Sequence, residues 1–248
     1  MPDHRLQAYG ARVLADLTAL RGIGAYKTGV HKPTFSEPHL RSLEWLAQRL
    51  PEAGLAASID GIGNVLGTSA KAGPRLLAGS HLESQNYAGW LDGPLGVVYA
   101  LEAARVLNPD PDLKGAVEVA AWCDEEGHFG SFLGSRSYVG NVTEADVDAA
   151  RDRSSGRTMR EALREAGLTD RPRITAERGR HIGYLEAHIE QGPAAGKRRS
   201  GDRRRHFHRR YLAISHQLYW RTKSRRHDAD GCSQGCRPRA DPVLRGHR

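Results

Sequence analysis

Three cysteines and two methionines are all the sulfur that 248 residues contain, aromatic side chains make up 6% of the chain, and no apolar run approaches a membrane span in length. So few cysteines give no disulfide framework. Two of them, Cys232 and Cys236, lie near the C-terminus, and the third, Cys123, reads as a small buried residue more than as a nucleophile. Asp3, His4 and Arg5 precede no apolar stretch, so no secretory signal is expected and the cytoplasm is the default location. No internal repeat is visible.

Glutamate is missing altogether from Ala194 onward, where 16 of the chain's 37 basic residues but only 4 of its 29 acidic ones are found. The formal charge of +8 therefore divides into −4 before that point and +12 after it, and the basic isoelectric point near 9.7 belongs to the tail alone. Apart from Tyr211 to Ile214 and Leu218 to Trp220, the tail has no hydrophobic periodicity and cannot supply much of a core. Two parts are expected: residues 1–193, able to bury a sizeable α/β core, and residues 194–248, an Arg-rich and poorly ordered tail.

What the first part does contain is a set of short chemical segments at the ends of apolar runs. Leu76, Leu77 and Ala78 lead into Gly79-Ser80-His81, which sets His81 just past the carboxyl end of a buried strand, where α/β sheets hold ligands. Asp92 precedes Gly93-Pro94, and Pro94 suits the first turn of a helix whose Leu95, Val98, Leu101 and Val106 recur at near-helical spacing. Val117 to Cys123 reads as another strand, opening into Asp124-Glu125-Glu126-Gly127. Three adjacent carboxylates repel one another, so a buried cluster of this kind wants a cation or a proton. Tyr184 to Pro193, with His188, alternates in a way that suits a strand. Helices are expected over residues 6–20, 38–50, 94–107 and 158–166, and a loop over residues 151–157. Helices alternating with buried strands predict an α/β fold, a mixed sheet flanked by helices.

Singly, each segment has an ordinary reading: a hydrogen-bonded histidine, a solvated acidic loop, an Asp-Gly turn. Jointly, in the order His, Asp, Glu-Glu, His, they read as most of a two-metal hydrolase site.

With those residues in place the chain resembles the M20-type amidohydrolases of the hydantoinase/carbamoylase group: N-carbamoyl-L-amino-acid hydrolases, allantoate amidohydrolases and β-ureidopropionases. The likeness runs from about Leu6 to Pro193 and includes Thr34-Phe35-Ser36 and Asp60-Gly61-Ile62-Gly63-Asn64, where Asp-Gly suits a hairpin turn. The resemblance implies an M20/zinc-peptidase-like catalytic domain and two divalent metal ions, zinc or manganese, nickel or cobalt. His81 and His188 would bind one metal, Asp92 would bridge both, and Glu126 would bind the second. Glu125 would act as general base toward the attacking water and then as acid toward the leaving amine. Gln191 would help position the carbamoyl or amide group. Glu83 stands where relatives carry Asp and would orient His81 from behind, with one methylene more than usual. The implied reaction is hydrolysis of a linear non-peptide C–N bond, as in an N-carbamoyl-L-amino acid or related ureido compound, releasing ammonia and carbon dioxide from a carbamoyl group. Homodimerisation is implied too, through a smaller lid and dimerisation domain that relatives insert after this point before returning a last histidine ligand. Neither is found in the 248 residues, so the second metal lacks its last ligand and the chain as written is expected to be inactive or nearly so.

Three readings of the tail compete, and a reading-frame slip after about residue 193 is preferred to a functional basic arm. An Arg-rich arm could bind nucleic acid, making the chain a non-catalytic basic protein with a vestigial site, although the resemblance disfavours a nucleic-acid partner. His227 with Cys232 and Cys236 could hint at metal, on the weak evidence of a lone C-x3-C. A reading-frame slip is the third. With one choice of codons, Trp220 to Cys236 moved one base forward read Gly-Gly-Pro-Asn-His-Ala followed by Gly-Thr-Thr-Arg-Met-Ala-Ala-Arg-Lys-Asp, which resembles the next motif of the family.

Overall fold

The computed structural model describes residues 4–189, with side chains from Tyr9 onward. The expectations for Gln191 and for the tail fall outside the described residues. Helix α1 (His4–Gly22) leads to a two-residue ribbon, β1 (Ala25–Tyr26) and β2 (Gly29–Val30), then to α2 (Glu37–Arg49). After a 3-10 turn come β3 (Ala56–Ile59), β4 (Val65–Thr68), β5 (Arg75–His81), α3 (Pro94–Leu107) and β6 (Ala116–Trp122). The short helices α4 (Leu133–Tyr138), α5 (Glu144–Ala149) and α6 (Met159–Glu165) precede β7 (His181–Leu185).

The five longer strands form one sheet in the order β3-β4-β6-β5-β7. Its β3–β4 and β4–β6 pairs are antiparallel, and β6–β5 and β5–β7 are parallel, so the sheet is mixed as expected. All seven residues of β6 are buried, which explains why this strand reads as a continuous apolar run. Alternate residues feed two cores. Val117, Val119 and Ala121 face α1, α2 and α3, whereas Ala120 and Trp122 pack with Leu77, Tyr138 and Tyr184 on the other face.

Local signals account for the helix positions. Ser36 caps α2, its hydroxyl accepting from the His39 N–H, with Pro38 in the first turn and Leu43 and Leu46 turned inward. Pro94 opens α3, whose Val97, Val98 and Leu101 are fully buried, each contributing about 1.5–3 kcal/mol against exposure. Arg105 of α3 ties that helix to Asp16 of α1 at 2.5 Å and to Glu52 at 2.6 Å. Capping boxes start α5 at Thr143 with Asp146 and α6 at Thr158 with Glu161. The segment of residues 151–157 is a loop closed by a bridge between Arg151 and Thr158.

Two expected boundaries differ. His81 is the last residue of β5 rather than a residue beyond it, paired with Trp122 across the parallel ladder. Strand β7 ends at Leu185, so His188 sits in the segment after the strand. The cause is Glu186, whose carboxylate turns back to accept from Ser80 Oγ at 2.7 Å and Tyr184 Oη at 3.1 Å. Tyr184 Oη in turn accepts from Trp122 Nε1 at 2.8 Å, so the hydroxyl joins β7 to β6 while Glu186 reaches β5 through Ser80.

Candidate metal centre

His81, Asp92, Glu125, Glu126 and His188 all arrive at the carboxyl ends of β5, β6 and β7 or the segments that follow. The register of β5 against β6 sets this, because Ser80 opposite Ala121 and His81 opposite Trp122 bring the exits of the two strands to one level. Close approach of the strands is obligatory here: a Cβ on Gly79 would lie 1.8 Å from the Ala120 carbonyl oxygen. Asp92 stands beside the imidazole because Gly93 adopts φ +84°, and a Cβ on Gly93 would meet His81 Nδ1 at 2.5 Å.

Two triads of possible ligand atoms converge, each within 4.8 Å: His81, Asp92 and His188, and His81, Glu125 and Glu126. The first is the set expected for one metal. In the second, Glu126 converges with His81 and Glu125, whereas the expectation joined it to Asp92.

Both histidines are held the same way. His81 Nδ1 donates to the Glu83 carbonyl at 3.0 Å and His188 Nδ1 donates to the Ile189 carbonyl at 3.0 Å, since a carbonyl can only accept. The Nε2 atoms therefore face the centre. His188 Nε2 lies 3.0 Å from Asp92 Oδ1. His81 Nε2 is buried without a hydrogen bond, with Glu125 Oε2 at 3.7 Å. Burial disfavours a charge on the His81 imidazole, but Glu83, Glu125, Glu126 and Asp92 together outweigh it and raise its pKa to about 9. Burial also raises the Glu125 carboxyl, an opposite pull coming from His81. The hydrogen bond to Asp92 raises His188.

Behind the centre, Glu83 divides its labour. Its backbone carbonyl orients His81, while its carboxylate Oε1 accepts from the Glu125 N–H at 2.6 Å and the Glu126 N–H at 3.3 Å. The side chain itself, 3.7 Å from His81 Nδ1, thus fastens the acidic turn, and the backbone does what the carboxylate was expected to do. Burial raises the Glu83 carboxyl to about 7.

Several residues that carried no role in the sequence brace the same turn. Asp124, at φ +57° and fully buried, accepts from Thr34 Oγ1 at 2.8 Å and from the N–H groups of His128, Phe129 and Gly130 at 2.7–3.0 Å. Asn64 accepts from the Cys123 N–H at 3.0 Å and donates to Gly134 O and to Asp60, whose carboxylate closes the β3–β4 hairpin through the N–H groups of Ile62 and Asn64. The Thr34-Phe35-Ser36 and Asp60 to Asn64 motifs are therefore buttresses of one loop. Cys123 is fully buried with its thiol pushed well up by burial, as a structural cysteine should be.

The model of peptidase family M20/M25/M40 matches residues 77–204. The chain belongs to that family. This M20 chain is 34% identical over 193 residues to the N-carbamoyl-L-amino acid amidohydrolase of Geobacillus stearothermophilus, covering 74% of the chain and 46% of that protein. It is 34% identical over 196 residues to the allantoate deiminase of Arabidopsis thaliana, covering 73% of the chain and 36% of that protein. Among solved structures it is similar to an amidase of the hydantoinase/carbamoylase family from Burkholderia phymatum, at 48% identity and a TM-score of 0.71, covering 74% of the chain and 46% of that one. The chain thus spans about half the length, or less, of the relatives it matches.

M20 membership implies dependence on divalent metal, and the residues present fit such ions. Imidazole nitrogens and carboxylate oxygens suit a borderline divalent cation, both Nδ1 atoms are fixed on backbone carbonyls as in ligating histidines, and His81 Nε2 is aimed inward with no hydrogen bond. The carboxylates around His81 give the pocket a negative charge that a cation would neutralise. No helix among the described residues is long and apolar enough to cross a membrane.

Proposed function

We propose that this chain carries the metal-binding and proton-transferring part of a hydrolase of linear non-peptide C–N bonds, acting on N-carbamoyl-L-amino acids or related ureido compounds. The convergence of His81, Asp92 and His188 with Glu125 and Glu126 at one sheet edge carries the reading, and the names of the relatives supply the substrate class. His81, Asp92 and His188 would hold one divalent ion, and Glu126 would contribute to holding a second. Bound there, such ions supply Lewis-acid polarisation of the carbonyl and a more acidic water.

The chain's own residues do the rest. Glu125, raised by burial and open to solvent over 18% of its side chain, takes a proton from the attacking water and passes it to the leaving nitrogen as the C–N bond breaks. Glu83 keeps Glu125 in place through its N–H. His81 and His188 present Nε2 because their other nitrogens are occupied. Gln191 orients the carbamoyl or amide group.

Metal titration is the first test: His81→Ala and His188→Ala should each abolish binding of an equivalent, and undiminished stoichiometry in both would sink the site. Glu125→Gln is the second. In whatever length of chain turns over, ammonia release from an N-carbamoyl-L-amino acid should fall about 10²–10⁴-fold without loss of metal. A Glu125→Gln protein that keeps its rate removes Glu125 from the chemistry.

A further inference from the structure

Glu126 is gripped by a side chain from another loop. Gln85 Nε2 donates to Glu126 Oε2 at 2.5 Å and to the Glu126 carbonyl at 3.0 Å, and Gln85 Oε1 accepts from Arg153 Nη2. Arg153 is itself tied to the acidic loop, its backbone N–H donating to His128 O at 2.8 Å. A guanidinium can only donate and a carboxylate can only accept, so the partners assign both ends of the amide. Turned over, the amide would set oxygen against carboxylate and N–H against guanidinium. Two residues earlier, Glu83 holds the N–H groups of the same turn, so the loop after β5 fixes Glu125–Glu126 by backbone at one position and by side chain at the next.

We propose that Gln85 is a positioning residue for Glu126 and that Arg153 sets the orientation of its amide. Holding the Glu126 carboxylate removes the rotamer freedom that metal binding would otherwise have to freeze. The proposal rests on the reading of Glu126 as a metal-side carboxylate.

Co2+ alone, titrated into the whole chain and followed by calorimetry and visible absorption, tests it. Gln85→Met, which keeps length but loses both donors, should loosen one equivalent about tenfold and change its absorption band while leaving the other equivalent unchanged. Arg153→Met should loosen the same equivalent less, and Arg153→Lys, which still donates to Gln85 Oε1, should restore it. Because Arg153 is exposed, its variants keep the fold, and thermal unfolding of the metal-free proteins should stay together. Unchanged Co2+ affinity in Gln85→Met overturns the proposal, as does a parallel loss of affinity and stability in both Met variants. If the unaltered chain takes up no Co2+, the metal reading falls first and the positioning role with it. Uptake that is indifferent to Gln85 removes the positioning role alone.

Discussion

Glu118, in the middle of β6, and Glu125 with Glu126, just beyond its end, are carboxylates of one strand and its continuation, Glu118 and Glu126 buried and Glu125 half-buried, yet their surroundings are opposite. Glu118 accepts from Arg180 Nη2 at 2.7 Å and Nε at 3.1 Å, from His181 Nε2 at 2.8 Å and from the Ser69 N–H at 2.8 Å, with Arg75 Nε at 3.5 Å. Burial would raise its carboxyl, but these donors outweigh burial and hold it at about 2. Glu125 faces a histidine instead of an arginine, and burial wins there and raises it. The protein supplies its own counter-charge to the first carboxylate, whereas beside the second the proposed site would draw one from outside. Buried acid alone does not mark a metal centre; the kind of neighbour does.

The largest test of that contrast is Glu118→Ala, which leaves Arg180, Arg75 and His181 uncompensated and should cost about 3–5 kcal/mol in urea unfolding. Glu125→Gln should change metal-free stability by no more than about 1 kcal/mol, because Glu125 makes no arginine pair and His81 keeps Glu83, Glu126 and Asp92 beside it. Equal losses in the two variants would erase the distinction.

Acid separates the clusters next. A carboxyl depressed in the fold stabilises above its ordinary value of 4.5, and that stabilisation is lost as pH falls toward about 2. Glu118 should thus account for about 3 kcal/mol lost over that window, and the loss should vanish in Glu118→Gln when the two proteins are compared by unfolding from pH 6 down. Divalent metal at one hundred times its Kd should then add about 2.7 kcal/mol to the native state. That gain should disappear in His188→Ala and persist in Glu118→Gln. Smallest of all, Arg180→Lys should cost about 1 kcal/mol by replacing a two-pronged contact with a single one.

Why some of this architecture was legible in the sequence and some was not follows from where each residue gets its partners. His81 was placed within one position because an apolar run announces its strand, and α3 began at Pro94 because proline's fixed φ and missing N–H suit that turn. The ligand candidates were visible as residue types at strand ends. Their supports were not: Thr34, Asn64, Gln85 and Asp124 are polar residues in loops, and their meaning lies in partners 41 to 90 positions away. The short helices show the same limit. Thr143 caps α5 with Asp146 in place of the commoner Glu or Gln, and α4 follows Phe132 at φ +58° with no side-chain cap at all. The period-2 pattern through Tyr184 ran past the real end of β7 because Glu186 bonds back to Ser80, a contact that no local pattern encodes.

That last bond joins residues 106 positions apart, and it has a kinetic meaning. Bringing β7 beside β5 demands closure of a long stretch of chain, and parallel pairing of this kind is gained late in folding. His188 can therefore meet His81 only after the rest of the sheet exists, so the pocket is a product of the native topology and not a seed for it. A bound cation should accordingly leave the folding rate nearly untouched and slow the first opening of the β5–β7 edge, turning the site into a latch on unfolding.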